Sequence, residues 1–273
     1  MTHRLMLIGN PVAHSKSPEI HRIFGLQAQY PVQYDTCAVD DVDVESVIQT
    51  FFASGGRGMN VTVPHKERVF TLVDRITPEA MDACAVNTVW LDSGELVGHN
   101  TDGLGLLDDL DRLNLPVTDQ HILILGAGGA IAGCLGPLMA RHPKQITLVN
   151  RTLARAEIIV ERFPGVRVLP LDALASFDEP VDGMISGLSS GLSGVWEIPL
   201  PVQSVSSDTW CYDLVYGTRP TPFVAACRAY TPHCYDGFGM LVGQAARSFS
   251  AWFQCPVDPW QAYWQLRPDG QPV

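Results

Sequence analysis

Apolar positions along the chain fall into short continuous runs separated by glycine, proline and polar clusters. The first run, 5–8, is ended by Gly9-Asn10-Pro11, the pattern of a buried strand followed by a turn. Ser17 before Pro18 predicts a helix to about residue 28, with the serine as N-cap and the proline at the first helical position. Residues 32–39 alternate as a strand, and 41–52 carry helical spacing at Val44, Val47, Ile48 and Phe51. Gly55-Gly56 leads into a strand over 58–63, stopped by Pro64, and a short helix follows over 64–73. A hairpin over 86–91 and 95–100 turns at Asp92-Ser93-Gly94. The stretch 102–113 is an amphipathic helix with Leu104, Leu106, Leu107, Leu110 and Leu113 on its apolar side, placed as the crossing between two halves. Beyond it, strand-like runs near 121–125, 145–149, 166–169, 182–186 and 209–214 alternate with helical stretches, and 239–254 and 259–266 read as helices. Strands alternating with helices indicate an α/β chain with a parallel, doubly wound sheet.

Composition narrows the classes of partner. Hydrophobic residues make up 46% of the 273, ample material for one large core or two ordinary ones. The net charge of −11 argues against a general nucleic-acid binder and against an anionic-membrane protein, since both need a basic face. It leaves an anionic small molecule open, because a few local cations dominate a closed pocket. The seven cysteines are scattered, with no C-x-x-C pair and no histidine at zinc-site spacing, so no metal site is expected and the thiols read as reduced and packed. No apolar run suits a signal peptide or a membrane span, and a soluble, cytoplasmic protein is expected.

Candidate chemistry begins at the run 121–125, which passes into Gly126-Ala127-Gly128-Gly129-Ala130 and then a helix-compatible stretch. A strand, a tight glycine turn and a helix place backbone N–H groups where a pyrophosphate is held without a side chain. The match to G-x-G-x-x-G is partial, because Ile131 occupies the sixth position. The next strand ends in Asn150-Arg151-Thr152, with Arg155 one turn on. Acid at that place would suit ribose hydroxyls, whereas two arginines suit a 2′-phosphate through charge-assisted contacts, so NADP is favoured over NAD. An arginine pair at a solvated helix start is the plain alternative.

Further polar clusters sit where strands are predicted to end, the place where open α/β sheets bind ligands. They are His14-Ser15-Lys16-Ser17, Asn60-Val61-Thr62-Val63-Pro64-His65-Lys66, Val86-Asn87-Thr88 and Gly98-His99-Asn100-Thr101-Asp102-Gly103. Each has an ordinary reading as well: helix capping for Ser15, Ser17 and Asp102, and a solvated surface charge for Lys66.

Taken in order, these clusters resemble the shikimate dehydrogenase family along almost the whole chain. The matching segments also include Asp213-Leu214-Val215-Tyr216, Thr221-Pro222-Phe223 and the run from Asp236-Gly237-Phe238-Gly239 through Gln244-Ala245-Ala246. The resemblance implies NADPH-dependent reduction of 3-dehydroshikimate to shikimate, a step of aromatic amino-acid biosynthesis. It implies a two-domain chain: an N-terminal α/β substrate domain (1–101, rejoined by C-terminal helices in 238–273) and a Rossmann-type NADP domain (102–237). By matching position, Lys66 and Asp102 are the implied catalytic pair. Ser15 and Ser17 are implied to hold the substrate carboxylate, and Thr62, Asn87, Tyr216 and Gln244 the rest of the substrate. Gly126, Ala127, Gly128, Gly129 and Ala130 are implied to cradle the cofactor pyrophosphate. Asn150, Arg151, Thr152 and Arg155 would surround the adenosine phosphate, with Leu214 and Gly237 against the nicotinamide.

The chain also departs from the pattern. Where the family strand usually ends Asn-Ala-Thr-Ser, this one reads Ser186-Gly187-Leu188-Ser189, and Leu214 stands where methionine is common. The catalytic pair is untouched, so the expectation is retained activity with altered cofactor affinity. A quinate/shikimate enzyme using NAD and a non-catalytic paralogue that binds shikimate or NADP are the alternatives. The expected partner is a small molecule, with the chain a monomer or a homodimer.

Overall fold

The computed structural model describes residues 2–188 and 196–270. The N-terminal half runs β1 (His3–Gly9), α1 (Ser17–Gln27), β2 (Val32–Ala38), α2 (Val44–Ala53), β3 (Gly58–Val61), α3 (Lys66–Phe70), β4 (Arg75–Ile76), α4 (Pro78–Ala83), β5 (Thr88–Asp92) and β6 (Glu95–His99). Its mixed sheet has the order β2-β1-β3-β5-β6-β4. Helix α5 (Asp102–Arg112) crosses to the second half: β7 (His121–Leu125), α6 (Gly129–Met139), β8 (Gln145–Asn150), α7 (Leu153–Val160), β9 (Arg167–Pro170), β10 (Gly183–Ser186), β11 (Trp210–Asp213), α8 (Pro222–Cys227) and β12 (Cys234–Asp236). This sheet is parallel throughout, in the order β12-β11-β10-β7-β8-β9. The order reverses between β7 and β10, which makes their C-terminal ends the ligand-binding switch point of a doubly wound sheet. Helices α9 (Phe238–Phe253) and α10 (Pro259–Leu266) close the chain.

The apolar runs explain the layers. Along β7, Ile122 and Ile124 pack with α5 and α6, while Leu123 and Leu125 pack on the opposite face with Met184, Cys211 and Phe223. Both faces are covered, so every β7 residue is buried and the strand is apolar at every position after His121. The closing helices return to the first sheet: Phe238, Val242, Phe249 and Trp252 share a cluster with Leu5, Ile20 and Phe24. The Trp252 indole N–H donates to the Val89 carbonyl at 3.1 Å, and its ring lies against Gly58, where no side chain would fit.

Glycines bring α5 against both of its helical neighbours. A Cβ on Gly103 would stand 2.7 Å from Pro137 of α6, and one on Gly105 2.7 Å from Gln244 Cβ of α9. On the α9 side, a Cβ on Gly243 would meet the Gly105 carbonyl at 2.9 Å. Among the described residues no helix is long and apolar enough to cross a membrane.

Several boundaries differ from the sequence reading. Helix α1 begins one residue earlier than its proline suggested, so Ser17 is its first residue and not its cap; Lys16 holds the cap position without a side-chain bond. The Ser15 hydroxyl instead accepts from the Ser17 N–H at 3.2 Å. Asp102 is likewise helical, with Thr101 at the cap. The strand expected over 58–63 ends at Val61, and the helix expected over 64–73 contracts to Lys66–Phe70. Elements β4, α4 and β12 had no counterpart in the reading; α4 is opened by Thr77, whose side chain accepts from the Ala80 N–H.

Candidate active site

Lys66 opens α3 and is fixed from both sides. Its carbonyl accepts from the Val86 N–H at 2.9 Å, and the preceding His65 is buried with Nε2 2.7 Å from the Val39 carbonyl. The Lys66 Nζ reaches the Asp102 carboxylate at 2.6 Å, with the two side chains 18% and 8% exposed. The other Asp102 oxygen accepts from the Asn87 amide at 2.8 Å, and the Asp102 N–H donates to Asn100 Oδ1 at 3.0 Å. Asn87 is held in one orientation, because its Oδ1 accepts from the Thr101 N–H at 2.9 Å and from the Thr88 hydroxyl at 2.8 Å. The Asp102 carboxylate, at the head of α5, is thus committed to the lysine and the amide rather than to capping its own helix.

This pair faces a cavity of about 610 Å³ bounded by both halves of the chain. Ser15, Ser17, Thr62, Asn87, Tyr216 and Gln244 all line it with Lys66 and Asp102, and so do Ala130, Leu214 and Gly237. His14, Asn60 and Met240 also line it, though no role was read for them in the sequence. A second cavity of about 600 Å³ adjoins it, sharing His14 and Tyr216.

Behind the serines lies a network that motif reading missed. The Ser15 and Ser17 hydroxyls are 3.2 Å apart, and the buried Ser17 neighbours the Tyr34 phenol. Tyr34 donates to Asn60 Oδ1 at 2.8 Å, and the Asn60 amide donates to the Asn87 carbonyl, Thr88 and Ser248 at 3.1–3.2 Å. His21 stacks on Tyr34 with ring centroids 4.7 Å apart, and burial holds its imidazole down to about 3, keeping it neutral. Asn60 already belonged to a quoted cluster; Tyr34 and Ser248 stood in ordinary strand and helix patterns and carried no signal.

The remaining sequence candidates gather at the ends of β7 and β8, outside the cavity wall. Gly126 has φ +101°, a left-handed conformation that suits glycine. Gly128 caps α6 without a side-chain bond, and a Cβ on Gly128 or Gly129 would meet nothing, so there is open space beside the start of α6. The Ala127 N–H donates to Asn150 Oδ1 at 3.2 Å, while the Asn150 amide donates to the Thr152 carbonyl at 2.8 Å. Asn150 therefore spends its polar atoms bracing the glycine turn. Arg151, Thr152 and Arg155 are exposed, and among the described residues neither arginine has an ion pair. An uncrowded helix N-terminus and two arginines without an ion pair among the described residues fit a dinucleotide that carries an extra phosphate. Of the departing segment, Ser186 lies in register with Asp213, and Ser189 lies outside the described residues. Burial pushes the Asp213 carboxyl up to about 6 against the opposing pull of the Thr221 hydroxyl at 2.6 Å.

Comparison with known proteins agrees with this geometry. A family model described as the shikimate dehydrogenase substrate binding domain matches residues 7–89, and one described as shikimate / quinate 5-dehydrogenase matches 110–193. The shikimate dehydrogenase (NADP(+)) of Alkalilimnicola ehrlichii is 44% identical over 254 residues, 92% of this chain and 94% of that protein. This chain belongs to the shikimate dehydrogenase family. The enzyme of the same name from Hydrogenovibrio crunogenus is 41% identical over 260 residues, covering 92% of this chain and 93% of its own length. Among solved structures, an Ael1 enzyme from Pseudomonas putida superposes with a TM-score of 0.89 at 33% identity, covering 97% of this chain and 98% of the other. Shikimate 5-dehydrogenase from Thermus thermophilus, solved in complex with NADP(H) and shikimate, gives a TM-score of 0.85 at 29% identity, covering 97% of this chain and 99% of the other. As a shikimate dehydrogenase family member, the chain is an oxidoreductase acting on a CH–OH group.

Proposed function

We propose that the chain catalyses the reversible reduction of 3-dehydroshikimate to shikimate with NADPH. The observation that carries this reading is the 2.6 Å Lys66–Asp102 pair, opening on a cavity that Leu214 and Gly237 border from the nucleotide half. The cofactor supplies a hydride to the ketone carbon. Lys66 stabilises the charge developing on the ketone oxygen and delivers its proton. Asp102, oriented by Asn87, holds the ammonium in place and accepts from a neighbouring substrate hydroxyl. Ser15 and Ser17 donate to the substrate carboxylate, and Thr62, Tyr216 and Gln244 hold the ring. The first amides of α6, from Gly129 and Ala130, receive the pyrophosphate through a turn shaped by Gly126, Ala127 and Gly128. Arg151 and Arg155 receive the 2′-phosphate, while Asn150 and Thr152 shape the loop that presents them. We also propose 1–101 with 238–273 as the substrate domain and 102–237 as the NADP domain; the shared cluster of α9, α10 and α1 supports the first grouping.

The deciding assay follows the nicotinamide absorbance with shikimate or quinate against NADP and NAD. Shikimate with NADP is expected to give the highest kcat/KM; better turnover of quinate with NAD would overturn the choice. Shikimate binding without any absorbance change would make the chain a non-catalytic paralogue. Arg151→Ala is expected to weaken NADP by about 1.5–3 kcal/mol and leave NAD nearly unchanged. Equal loss for both cofactors would refute the phosphate role.

The Tyr34 network makes a separate prediction. Tyr34→Phe keeps the ring that stacks on His21 but removes the hydroxyl between Ser17 and Asn60. It is expected to raise KM for shikimate by roughly tenfold, the scale of one lost hydrogen bond, with kcat and KM for NADP little changed. An unchanged KM for shikimate would show that Ser17 needs no such support.

A further inference from the structure

At the switch point of the second sheet, the start of α6 packs closely against the end of β10. Ile131 is the third residue of α6, at the place where the dinucleotide-binding pattern usually ends in a small residue that lets helix and sheet approach. Here a β-branched side chain fills the place, 0% exposed. The room for it comes from the opposite side: a Cβ on Gly187 would stand 2.7 Å from Ile131 Cδ1 and nearer still to Cγ1.

Neither partner has slack. An isoleucine in a helix has essentially one χ1 rotamer. The Gly187 N–H donates to the Leu125 carbonyl at 2.8 Å, extending the β10–β7 pairing by one residue. Gly187 is not among the positive-φ glycines, so the space taken by Ile131, and not an unusual backbone angle, accounts for the missing side chain. The same absent atom would lie at an ordinary 3.6 Å from Leu214.

We propose that Ile131 and Gly187 form a matched pair that seats the N-terminus of α6 on the sheet and thereby aims its first amides at the cofactor pyrophosphate. The proposal rests on NADP occupying that turn, as argued above. Gly187 is a positioning residue for cofactor binding: one added methyl displaces the start of α6 from β10 and moves the amides, while Ser15, Ser17 and Lys66 line the substrate cavity from the other half of the chain and keep their places. The requirement belongs to the pair, so a smaller residue at 131 releases the constraint at 187.

Calorimetric titration of NADP into the purified protein, with shikimate saturation kinetics in parallel, tests this. Gly187→Ala is expected to weaken NADP by about tenfold, the typical scale of overpacking by one methyl, with KM for shikimate changed less than about threefold. The double variant I131A/G187A is expected to bind NADP within about threefold of the parent protein. Parent-like NADP affinity in G187A, or a double variant no tighter than G187A, would overturn the proposal. If G187A does not fold, a folded double variant with restored NADP affinity supports the pair, and a double variant that also fails overturns it. A parent protein that does not bind NADP would instead overturn the cofactor assignment itself.

Discussion

Lys66→Ala is expected to lower kcat by roughly 10²–10⁴, with a smaller effect on KM, in both directions of the reaction. The size follows from the two tasks that one ammonium performs, charge stabilisation and proton delivery, at a site where its 18% exposure leaves little water to replace it. Removal also leaves the Asp102 carboxylate, 8% exposed, with only the Asn87 amide among its side-chain partners described here. Circular dichroism and a Tm close to the parent value would establish that the variant is folded before its turnover is read. A variant with near-normal kcat would remove Lys66 from the mechanism, whatever its distance from Asp102.

Asp109→Ala is expected to cause the largest loss of stability. Asp109 is fully buried on α5 and accepts from the Tyr212 hydroxyl at 2.6 Å and from Arg112 Nε at 2.8 Å. Burial pushes this carboxyl up, and the Arg112 charge and the Tyr212 hydrogen bond pull it back. Truncation strands both partners in the interior. Arg112 also lies 4.3 Å over the Tyr263 ring, so α10 loses part of its anchor as well. Breaking one side of such a network typically costs about 3–5 kcal/mol, which for a chain of this size lowers Tm by roughly 10 °C. Thermal unfolding measures it directly. A loss below about 1 kcal/mol would mean that the interior collapses onto the gap or admits water.

Where the sequence was legible, the reason is local. The runs at 121–125 and 259–266 were read with the bounds that the structure has: the first is apolar at every position after its histidine, and the second is opened by Asp258-Pro259, with the aspartate accepting from the Trp260 N–H. Elements β4 and β12 span two and three residues and owe their existence to strand pairing, so no period could announce them. The same distinction holds at the site. The glycine turn and its arginines carry a meaning in their spacing alone. Lys66 and Asp102 are 36 positions apart, and only family resemblance joined them before the fold did. Asn60 and Ser248, separated by 188 positions, show the limit of motif reading: a buried amide is recognisable only once its partners are known.

The glycines of α5 carry a last consequence. With backbone lying on backbone at Gly103 and Gly105, the carboxylate at the head of that helix takes its coordinates from two structural units at once. Any side chain added at either glycine would push the helices apart and carry the Asp102 carboxylate away from the Lys66 ammonium that it meets across the groove.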